Sequence, residues 1–208
     1  MESSQAPPDS LIRMLAEASG HDKKTPKTPS SLGLYSSVPL PGWEHVPFRR
    51  NTLKRAARHK IPEDLTGQRV VDIGSNCGHM SVLCASRGAT TAGYEYNADR
   101  VKAARALAHW ANLPCEFHQM DLELEVPPMY GWDIALCFAV DKYLSMDGKY
   151  QLYSLFNRVP VVYFETNSRH WTLRQCIADL EEVVGKVDYL FSTGQGNRHS
   201  FILTNGLV

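Results

Sequence analysis

The chain has 208 residues, of which 43% are hydrophobic and 21% charged, and its 22 basic and 22 acidic residues leave no formal net charge. A chain of this length can form one substantial hydrophobic core, and the composition excludes a disordered or membrane-embedded chain. No apolar run approaches the roughly 20 residues that span a bilayer, and the polar N-terminus has no apolar signal segment. The 5 cysteines are odd in number and lie mostly in apolar segments. We therefore expect a cytoplasmic protein with reduced thiols and no membrane partner.

The region before residue 67 is predicted to form two parts that precede the main domain. Residues 1–34 are rich in Ser, Pro, Thr and Lys and predict a mobile N-terminal tail. Within this tail, the apolar residues that follow Asp9 and Ser10 predict a short amphipathic helix, which either lies over the active site or frays. Residues 35–66 combine aromatic and proline residues with the basic run RRNTLKRAARHK, whose apolar positions share one helical face. This part is predicted to be an N-terminal cap with a helix that docks on the main domain.

Residues 67–208 alternate between strand and helix patterns. Such an alternation produces a parallel sheet that helices cover on both faces. The last two strand candidates are separated by Gly, Gln and Asn, a composition typical of a hairpin. We therefore predict an α/β fold: a Rossmann-like, doubly wound, seven-stranded and mostly parallel sheet with a C-terminal antiparallel hairpin. The strand candidates are RVVDIG, TTAGYEY, CEFHQMD, WDIALCFAV, VVYFETN, VDYLFSTG and HSFILTNG.

The motif VVDIGSNCGH is the first candidate for a ligand site. An apolar strand ends at Asp72, the chain turns through Gly74 and Gly78, and a helix follows. Glycines at such a turn let the backbone pass close to a ligand. A dinucleotide fingerprint has the spacing G-x-G-x-x-G and places a pyrophosphate at the helix N-terminus. Here the spacing is G-x-x-x-G behind an acidic residue, and a carboxylate suits a cationic amino-acid group better than a diphosphate.

Two further acidic residues follow the next two strands. Glu95 ends the second strand about 20 residues later, where dinucleotide-binding folds place an acid on the ribose hydroxyls. Asp121 ends the third strand and can accept a hydrogen bond from an adenine amino group, with Met120 and Leu122 packed on the base. Because open α/β sheets bind ligands at the C-terminal ends of their strands, these residues predict a nucleotide pocket.

The ordered series VVDIGSNCG, GYEYN, QMDLE and WDIALCFAV resembles the class I S-adenosylmethionine-dependent methyltransferase family. The resemblance covers the chain from Gly67 to the C-terminus and implies S-adenosylmethionine as the cofactor. It implies that Phe138 and Ala139 lie beside the reacting methyl group. The full set of cofactor-binding residues that we predict is Asp72, Gly74, Ser75, Asn76, Gly78, His79, Glu95, Tyr96, Met120, Asp121, Leu122, Phe138 and Ala139.

Methyl transfer from a sulfonium requires mainly that a nucleophile be held in line with the methyl group. A protonated nucleophile would gain roughly a hundredfold or more from a nearby base. Acidic or imidazole side chains that follow the fourth and fifth strands are the candidates: Glu165, Asp141 and His170. Glu165 is preferred because partial burial at the mouth of the pocket would raise its pKa. Alternatively, Glu165 caps the helix that starts near Thr172 or pairs with an arginine such as Arg169.

The acceptor is predicted from what surrounds these motifs. The fourth strand continues as FAVDKYL, without the Asn/Asp-Pro-Pro-Tyr signature of enzymes that methylate base amines, so a nucleic-acid partner is possible but not favoured. Tyr35, Trp43 and Arg49 are predicted substrate contacts. The run from Arg49 to Lys60 either binds a phosphate-bearing substrate or is the solvated face of a helix. No metal-ligand spacing is present, so no metal site is predicted.

These observations favour an S-adenosylmethionine-dependent methyltransferase. We expect the methyl group to pass to an oxygen or nitrogen nucleophile of a small or phosphate-bearing acceptor, with S-adenosylhomocysteine as the product. One alternative is a catalytically silent scaffold that retains the cofactor. A second alternative, a nicotinamide-dependent oxidoreductase, is disfavoured by the glycine spacing.

Overall fold

A seven-stranded sheet with helices on both faces forms the centre of the protein. The computed structural model describes residues 6–19, 33–167, 172–193 and 198–206. In chain order, the elements are α1 (Asp9–Ala18), β1 (Leu34–Ser36), β2 (Phe48–Arg50), α2 (Thr52–Arg58), β3 (Arg69–Ile73), α3 (His79–Ser86), β4 (Thr90–Glu95), α4 (Ala98–Ala111), β5 (Cys115–Gln119), β6 (Ile134–Phe138), α5 (Met146–Ser154), β7 (Val161–Glu165), α6 (Leu173–Glu181), β8 (Lys186–Thr193) and β9 (Arg198–Thr204).

The strand order of this sheet is β5-β4-β3-β6-β7-β9-β8. The pairs β5–β4, β4–β3, β3–β6 and β6–β7 are parallel, whereas β9 runs antiparallel to both β7 and β8. This topology confirms the predicted seven-stranded, mostly parallel sheet and its closing hairpin. From β3 the chain moves outward on one side to β4 and β5 and returns on the other side to β6. The C-terminal ends of β3 and β6 therefore border a switch point, where open sheets bind ligands.

Alternate residues of the central strand β3 are buried on opposite faces of the sheet, as the strand period of two requires. Val71 packs in a cluster with Leu152 of α5 and Leu180 of α6. The neighbouring Val70 packs in another cluster with Leu83 of α3. Both faces are therefore covered by helices, which explains why β3 is apolar almost throughout.

The N-terminal helix α1 packs against the main domain. Leu15 is fully buried in a cluster that includes Leu107 of α4. The expectation of a mobile tail for residues 1–34 is therefore wrong for residues 9–19, because the apolar face of α1 is buried against α4. Residues 20–32 lie outside the part of the chain that the structure describes. The division of the chain at residues 34 and 66 stays a prediction.

A small parallel sheet and helix α2 form the cap that precedes β3. Ser36 of β1 is the register partner of Arg50 in β2. The side chain of Asn51 caps α2 by accepting a hydrogen bond from the backbone N–H of Lys54 at 2.8 Å. Ala56 is fully buried in the cluster that also contains α3 residues, so α2 is fixed on the sheet. None of the helices within the described residues has the length and apolar character needed to span a bilayer.

Candidate functional site

A cavity of about 710 Å³ lies at the C-terminal ends of β3, β4, β5 and β6. Residues of β1, β2 and α2 and the first residue of β9 complete its wall. All predicted cofactor residues except Gly78 line the cavity: Asp72, Gly74, Ser75, Asn76, His79, Glu95, Tyr96, Met120, Asp121, Leu122, Phe138 and Ala139. The four strand ends thus place the predicted residues around one space, as the parallel topology requires.

Asp72 is a nearly desolvated carboxylate in the cavity wall. Its side chain is only 3% exposed, and Ser81 Oγ donates a hydrogen bond to its Oδ2 at 2.6 Å. Burial raises the pKa of Asp72 to about 6, although the hydrogen bond from Ser81 and the charge of Arg55 act in the opposite direction. A carboxylate that has lost its hydration gains from a cationic partner, so this end of the cavity favours a ligand with a positive charge.

Glu95 is held in one orientation by three donors. Its Oε2 accepts from the backbone N–H of Asn76 at 3.0 Å, and its Oε1 accepts from the N–H of Asn97 at 3.1 Å and from Arg100 Nη1 at 3.3 Å. Asn76 has a φ of 54°, a left-handed conformation that asparagine tolerates better than most residues. An ionised carboxylate has about four acceptor positions. Glu95 therefore has a fixed orientation and can still accept a hydrogen bond from a ligand hydroxyl.

Two buried polar atoms in the wall have no hydrogen-bond partner within the described part of the chain. They are Ser75 Oγ and His79 Nε2. Burial lowers the pKa of His79 to about 4, so this ring is neutral near pH 7. Buried polar groups are rarely left unpaired unless a ligand or another partner completes them. The wall thus provides the polar atoms that a ligand with several hydrogen-bonding groups requires, next to the apolar side chains of Met120 and Leu122.

Asp121 follows β5 at the opposite end of this wall from β6. Its Oδ1 accepts a hydrogen bond from the backbone N–H of Glu123 at 3.0 Å, and its carbonyl accepts from the N–H groups of Leu124 and Glu125. Asp121 therefore stabilises the turn after β5 in addition to lining the cavity. Its role toward an adenine stays a prediction.

The glycines of the motif make room mainly for protein side chains. Gly74 and Gly78 have φ values of +71° and +76°, and a Cβ on Gly74 would collide with Val140 Cγ2. A Cβ on Gly78 would lie 2.5 Å from the ring of Phe117, and Gly78 does not line the cavity. Gly78 is therefore required by the Phe117 ring, which occupies the space that a side chain at residue 78 would need, and its contact with the cofactor stays a prediction.

Gly78→Ala is expected to lower the free energy of unfolding by about 2 kcal/mol, of which about 1 kcal/mol is the left-handed backbone and the rest the contact with Phe117. Gly67 supplies a matched control, because its φ is +77° and, apart from its two chain neighbours, no residue in the described part of the chain has an atom within 4 Å of its added Cβ. In urea unfolding, Gly67→Ala should lower the free energy of unfolding about half as much as Gly78→Ala does. In a Phe117→Leu background, Gly78→Ala should lower it less than it does in the wild type. Equal losses at residues 67 and 78 would contradict the packing explanation.

Glu165, the preferred catalytic base, lies outside the cavity lining in a cluster of cationic side chains. Arg55 Nη2 and Arg198 Nη1 contact its Oε1 at 3.2 and 3.4 Å, and His59 Nε2 lies 3.3 Å from its Oε2. Burial alone would raise the pKa of Glu165, but the close contact with His59 and the charges of Arg55 and Arg198 outweigh it and lower the pKa to about 2. The expectation of a raised pKa is therefore wrong. Glu165 does pair with arginines, but they are Arg55 and Arg198, and the predicted example, Arg169, lies outside the described residues.

Asp141, the second candidate base, does not line the cavity either. Asp141 is fully buried and accepts hydrogen bonds from Thr166 Oγ1 and, at 2.7 Å, from the backbone N–H of Asn167. Burial raises its pKa, and these hydrogen bonds act in the opposite direction. Asp141 thus fixes the loop after β7, whereas the structure offers it no contact with the cavity. His170 lies outside the described residues.

Of the predicted substrate contacts, the structure places only Tyr35 in the cavity wall. Trp43 is 3% exposed in the apolar cluster under α1, where its ring lies edge-on to Trp110 at 5.4 Å. Arg49 is exposed on β2, and its neighbour Arg50 lines the cavity instead. The predictions for Trp43 and Arg49 are therefore wrong in this structure, because the alternation along β2 and the packing of α1 turn these side chains elsewhere.

Three arginines in the wall were not predicted as a group: Arg50, Arg55 and Arg198. The first two belong to the basic run of the cap, which the sequence left open between substrate binding and a solvated face. Arg198 begins β9, and the antiparallel pairing of Glu165 with Ser200 brings it beside Arg55. The hairpin register is the signal that could have revealed Arg198, since it places the start of β9 at the C-terminal end of β7.

No protein-family model matches the sequence, and a search of curated proteins finds no match. Solved structures do match. WbdD, described as a bifunctional kinase-methyltransferase, has a TM-score of 0.64 at 19% identity over 82% of this chain and 44% of its own, so the chain spans less than half the length of WbdD.

Two smaller proteins match with similar scores. A TehB-like SAM-dependent methyltransferase from Corynebacterium glutamicum has a TM-score of 0.57 at 16% identity over 74% of this chain and 87% of its own. The magnesium protoporphyrin IX methyltransferase of Synechocystis, solved with S-adenosylmethionine bound, has a TM-score of 0.56 at 17% identity over 73% of this chain and 76% of its own. The protein therefore has the fold of the class I S-adenosylmethionine-dependent methyltransferases.

Proposed function

We propose that this protein binds S-adenosylmethionine in the cavity and transfers its methyl group to an oxygen or nitrogen nucleophile of a small or phosphate-bearing acceptor. The observation that carries the proposal is the pair of buried carboxylates, Asp72 and Glu95, at the ends of the adjacent strands β3 and β4. The fold likeness to methyltransferases supports it. The protein is proposed to act in the cytoplasm, where its 5 unpaired cysteines would stay reduced.

The two carboxylates suit different parts of this cofactor. Asp72 would accept hydrogen bonds from the ammonium of the methionine moiety, which restores the electrostatic stabilisation that burial removes. Glu95 would accept from a ribose hydroxyl, since its orientation is already fixed by Asn76, Asn97 and Arg100. Asp121 would accept from the adenine amino group. When bound, S-adenosylmethionine supplies a methyl group already activated by the sulfonium, so the chain has to hold the acceptor in line with it.

The region around Phe138 and Ala139 is the proposed place of transfer. Ala139 has a φ of 63°, an uncommon conformation for alanine, and its N–H donates to the carbonyl of Glu165 at 2.6 Å. This turn after β6 presses Val140 onto Gly74 and leaves Phe138 and Ala139 in the cavity wall. Backbone strain of this kind is typical of sites that must hold a defined geometry. These residues would orient the methyl group toward the space between Phe138 and the cap.

A binding scaffold without turnover is the second candidate, because Glu165 and Asp141, the acids predicted as bases, lie outside the cavity lining. Two measurements separate the candidates. S-adenosylmethionine should raise the midpoint of thermal unfolding, and it should do so more than NAD⁺ at equal concentration. An enzyme should then release S-adenosylhomocysteine when a suitable acceptor is added, whereas a scaffold would be stabilised without releasing it. Stabilisation by NAD⁺ but not by S-adenosylmethionine would contradict the proposal.

A further inference from the structure

Three guanidinium groups meet at the end of the cavity formed by the cap and the C-terminal hairpin. Arg50 of β2, Arg55 of α2 and Arg198 of β9 all line it. The guanidinium of Arg55 lies 4.6 Å from the ring centre of Phe138, and that of Arg50 lies 5.0 Å from the ring centre of Tyr35. We call Arg50, Arg55 and Arg198 the arginine cluster. It borders Phe138 and hence the proposed position of the reacting methyl group.

The arginine cluster carries more positive charge than its protein partners neutralise. Glu165 is the carboxylate in contact with it among the described residues, and it pairs with Arg55 and Arg198. Within the described residues, Arg50 has no carboxylate within ion-pair distance. Three guanidinium groups against one carboxylate leave a surplus of two positive charges. Asp72, the next carboxylate along the wall, is assigned to the cofactor ammonium, and the sulfonium of the cofactor offsets its own carboxylate, so the bound cofactor together with Asp72 leaves the surplus unchanged.

Two members of the arginine cluster, Arg55 and Arg198, are held in place by contacts within the protein. Arg198 Nε donates to Asn167 Oδ1 at 2.7 Å, and its Nη1 contacts Glu165. Arg55 is held by the same carboxylate oxygen and by the ring of Phe138. Burial lowers the pKa of Arg50, Tyr35 and Glu165 act in the opposite direction, and the charges of Arg198 and Arg55 lower it further, so an added anion would be stabilised there. A preorganised set of guanidinium groups is the arrangement that binds phosphate oxygens best.

The acidic side chains near the arginine cluster are poorly placed to remove a proton. Glu165 is committed to ion pairs with arginines, and Asp141 is buried behind the loop that follows β7. A hydroxyl or ammonium acceptor would need such a base before attack. An acceptor oxygen that is already ionised needs none, and the same cationic side chains that bind it hold it in line with the methyl group.

We propose, resting on the methyltransferase function above, that the acceptor is a phosphate monoester whose dianion binds to Arg50, Arg55 and Arg198 and whose own oxygen is the nucleophile. A lone pair of that oxygen forms the new O–CH₃ bond, the S–CH₃ bond breaks with its electrons passing to sulfur, and no proton is transferred. The product is a monoanionic phosphate diester. A carboxylate acceptor would balance only one of the two surplus charges, whereas the phosphate dianion balances both.

Binding of a small probe tests the proposal without requiring turnover. By titration calorimetry in the presence of S-adenosylhomocysteine, methyl phosphate should bind at least about tenfold more tightly than acetate or dimethyl phosphate. Arg50→Gln should weaken methyl phosphate binding about tenfold or more and leave the affinity for S-adenosylhomocysteine unchanged. Arg49→Gln is the matched control, because this neighbour is exposed and does not line the cavity. It should leave methyl phosphate binding unchanged.

The two proposals fail in different ways. If S-adenosylhomocysteine does not bind the wild-type protein, the proposed function is wrong. If it binds but acetate binds as tightly as methyl phosphate, or if Arg50→Gln and Arg49→Gln have equal effects, the phosphate acceptor is wrong and the methyltransferase function stands. With S-adenosylmethionine present, conversion of methyl phosphate to dimethyl phosphate, followed by ³¹P NMR, would support the nucleophilic role of the phosphate oxygen. Methylation of an added alcohol or amine with no dimethyl phosphate formed would overturn it.

Discussion

Replacing Asp72 with asparagine is expected to lower the affinity for S-adenosylmethionine about 100-fold, because the cofactor ammonium loses its buried anionic partner. The substitution keeps the size of the side chain and an oxygen that can accept the hydrogen bond from Ser81. The fold should therefore be retained. Titration calorimetry with the wild type, with Asp72→Asn and with the exposed control Asp147→Asn measures the change. An equal affinity in Asp72→Asn and the wild type would remove Asp72 from the cofactor site.

The same substitution should stabilise the ligand-free protein at neutral pH. The carboxyl of Asp72 has an ordinary pKa of 3.8, and burial raises it to about 6 in the folded state. Between these values the folded state binds the proton more tightly, so the free energy of unfolding falls as the pH rises from about 4 to about 6 and stays lower above that range. The difference between a pKa of 3.8 and a pKa of about 6 corresponds to about 3 kcal/mol. In urea unfolding at pH 4, 5, 6 and 7, the free energy of unfolding of Asp72→Asn should increase relative to that of the wild type as the pH rises. A difference between the two proteins that does not depend on pH would contradict the raised pKa.

Replacing Glu165 with glutamine is expected to lower the free energy of unfolding at pH 7 by about 3 kcal/mol, because Arg55 and Arg198 lose their buried counter-charge. Removing one partner of a buried ion pair leaves the other charge uncompensated, which costs more than the pair contributes. The exposed control Glu63→Gln should change stability by less than about 0.5 kcal/mol. Urea unfolding of the three proteins in phosphate-free buffer measures both effects.

The pH dependence of this loss follows from the lowered pKa of Glu165. The carboxyl has an ordinary pKa of 4.5 and a folded-state pKa of about 2. The contribution of ionised Glu165 to the free energy of unfolding is therefore fully present above about pH 4.5. It disappears as the pH falls toward about 2, because the unfolded state binds the proton more tightly in this range. The difference in the free energy of unfolding between Glu165→Gln and the wild type should narrow as the pH falls below about 4.5. A difference that grows on acidification would show that Glu165 is not held ionised.

The fold was predictable because its signals are local. The apolar strands, the helical stretches between them and the final hairpin each follow from short sequence patterns, and parallel pairing then requires a common ligand edge. The cofactor half of the cavity was predictable for the same reason, since Asp72 and Glu95 directly end neighbouring strands. The N-terminal helix was predicted, but its burial against Leu107 of α4 was not, because a contact between residues so distant in sequence has no local signature.

The acceptor half was not predictable from local patterns. The pKa of Glu165 depends on Arg55, which lies 110 positions earlier in the chain, and on Arg198, which the antiparallel hairpin brings back to the same strand end. Burial alone would raise this pKa, and the cationic partners that the fold brings to Glu165 lower it instead. Similarly, the aromatic character of Trp43 indicates burial or ligand contact equally well, and only the packing of α1 decides between them.

A crystal structure of the protein with S-adenosylhomocysteine bound tests the central proposal most directly. We predict that the ligand amino group lies within about 3 Å of the Asp72 carboxylate, a normal hydrogen-bond distance. The ribose hydroxyls should lie against Glu95, and the sulfur should face Phe138 and the guanidinium of Arg55. A ligand bound outside the cavity, or bound within it with its amino group away from Asp72 and its ribose away from Glu95, would contradict the account.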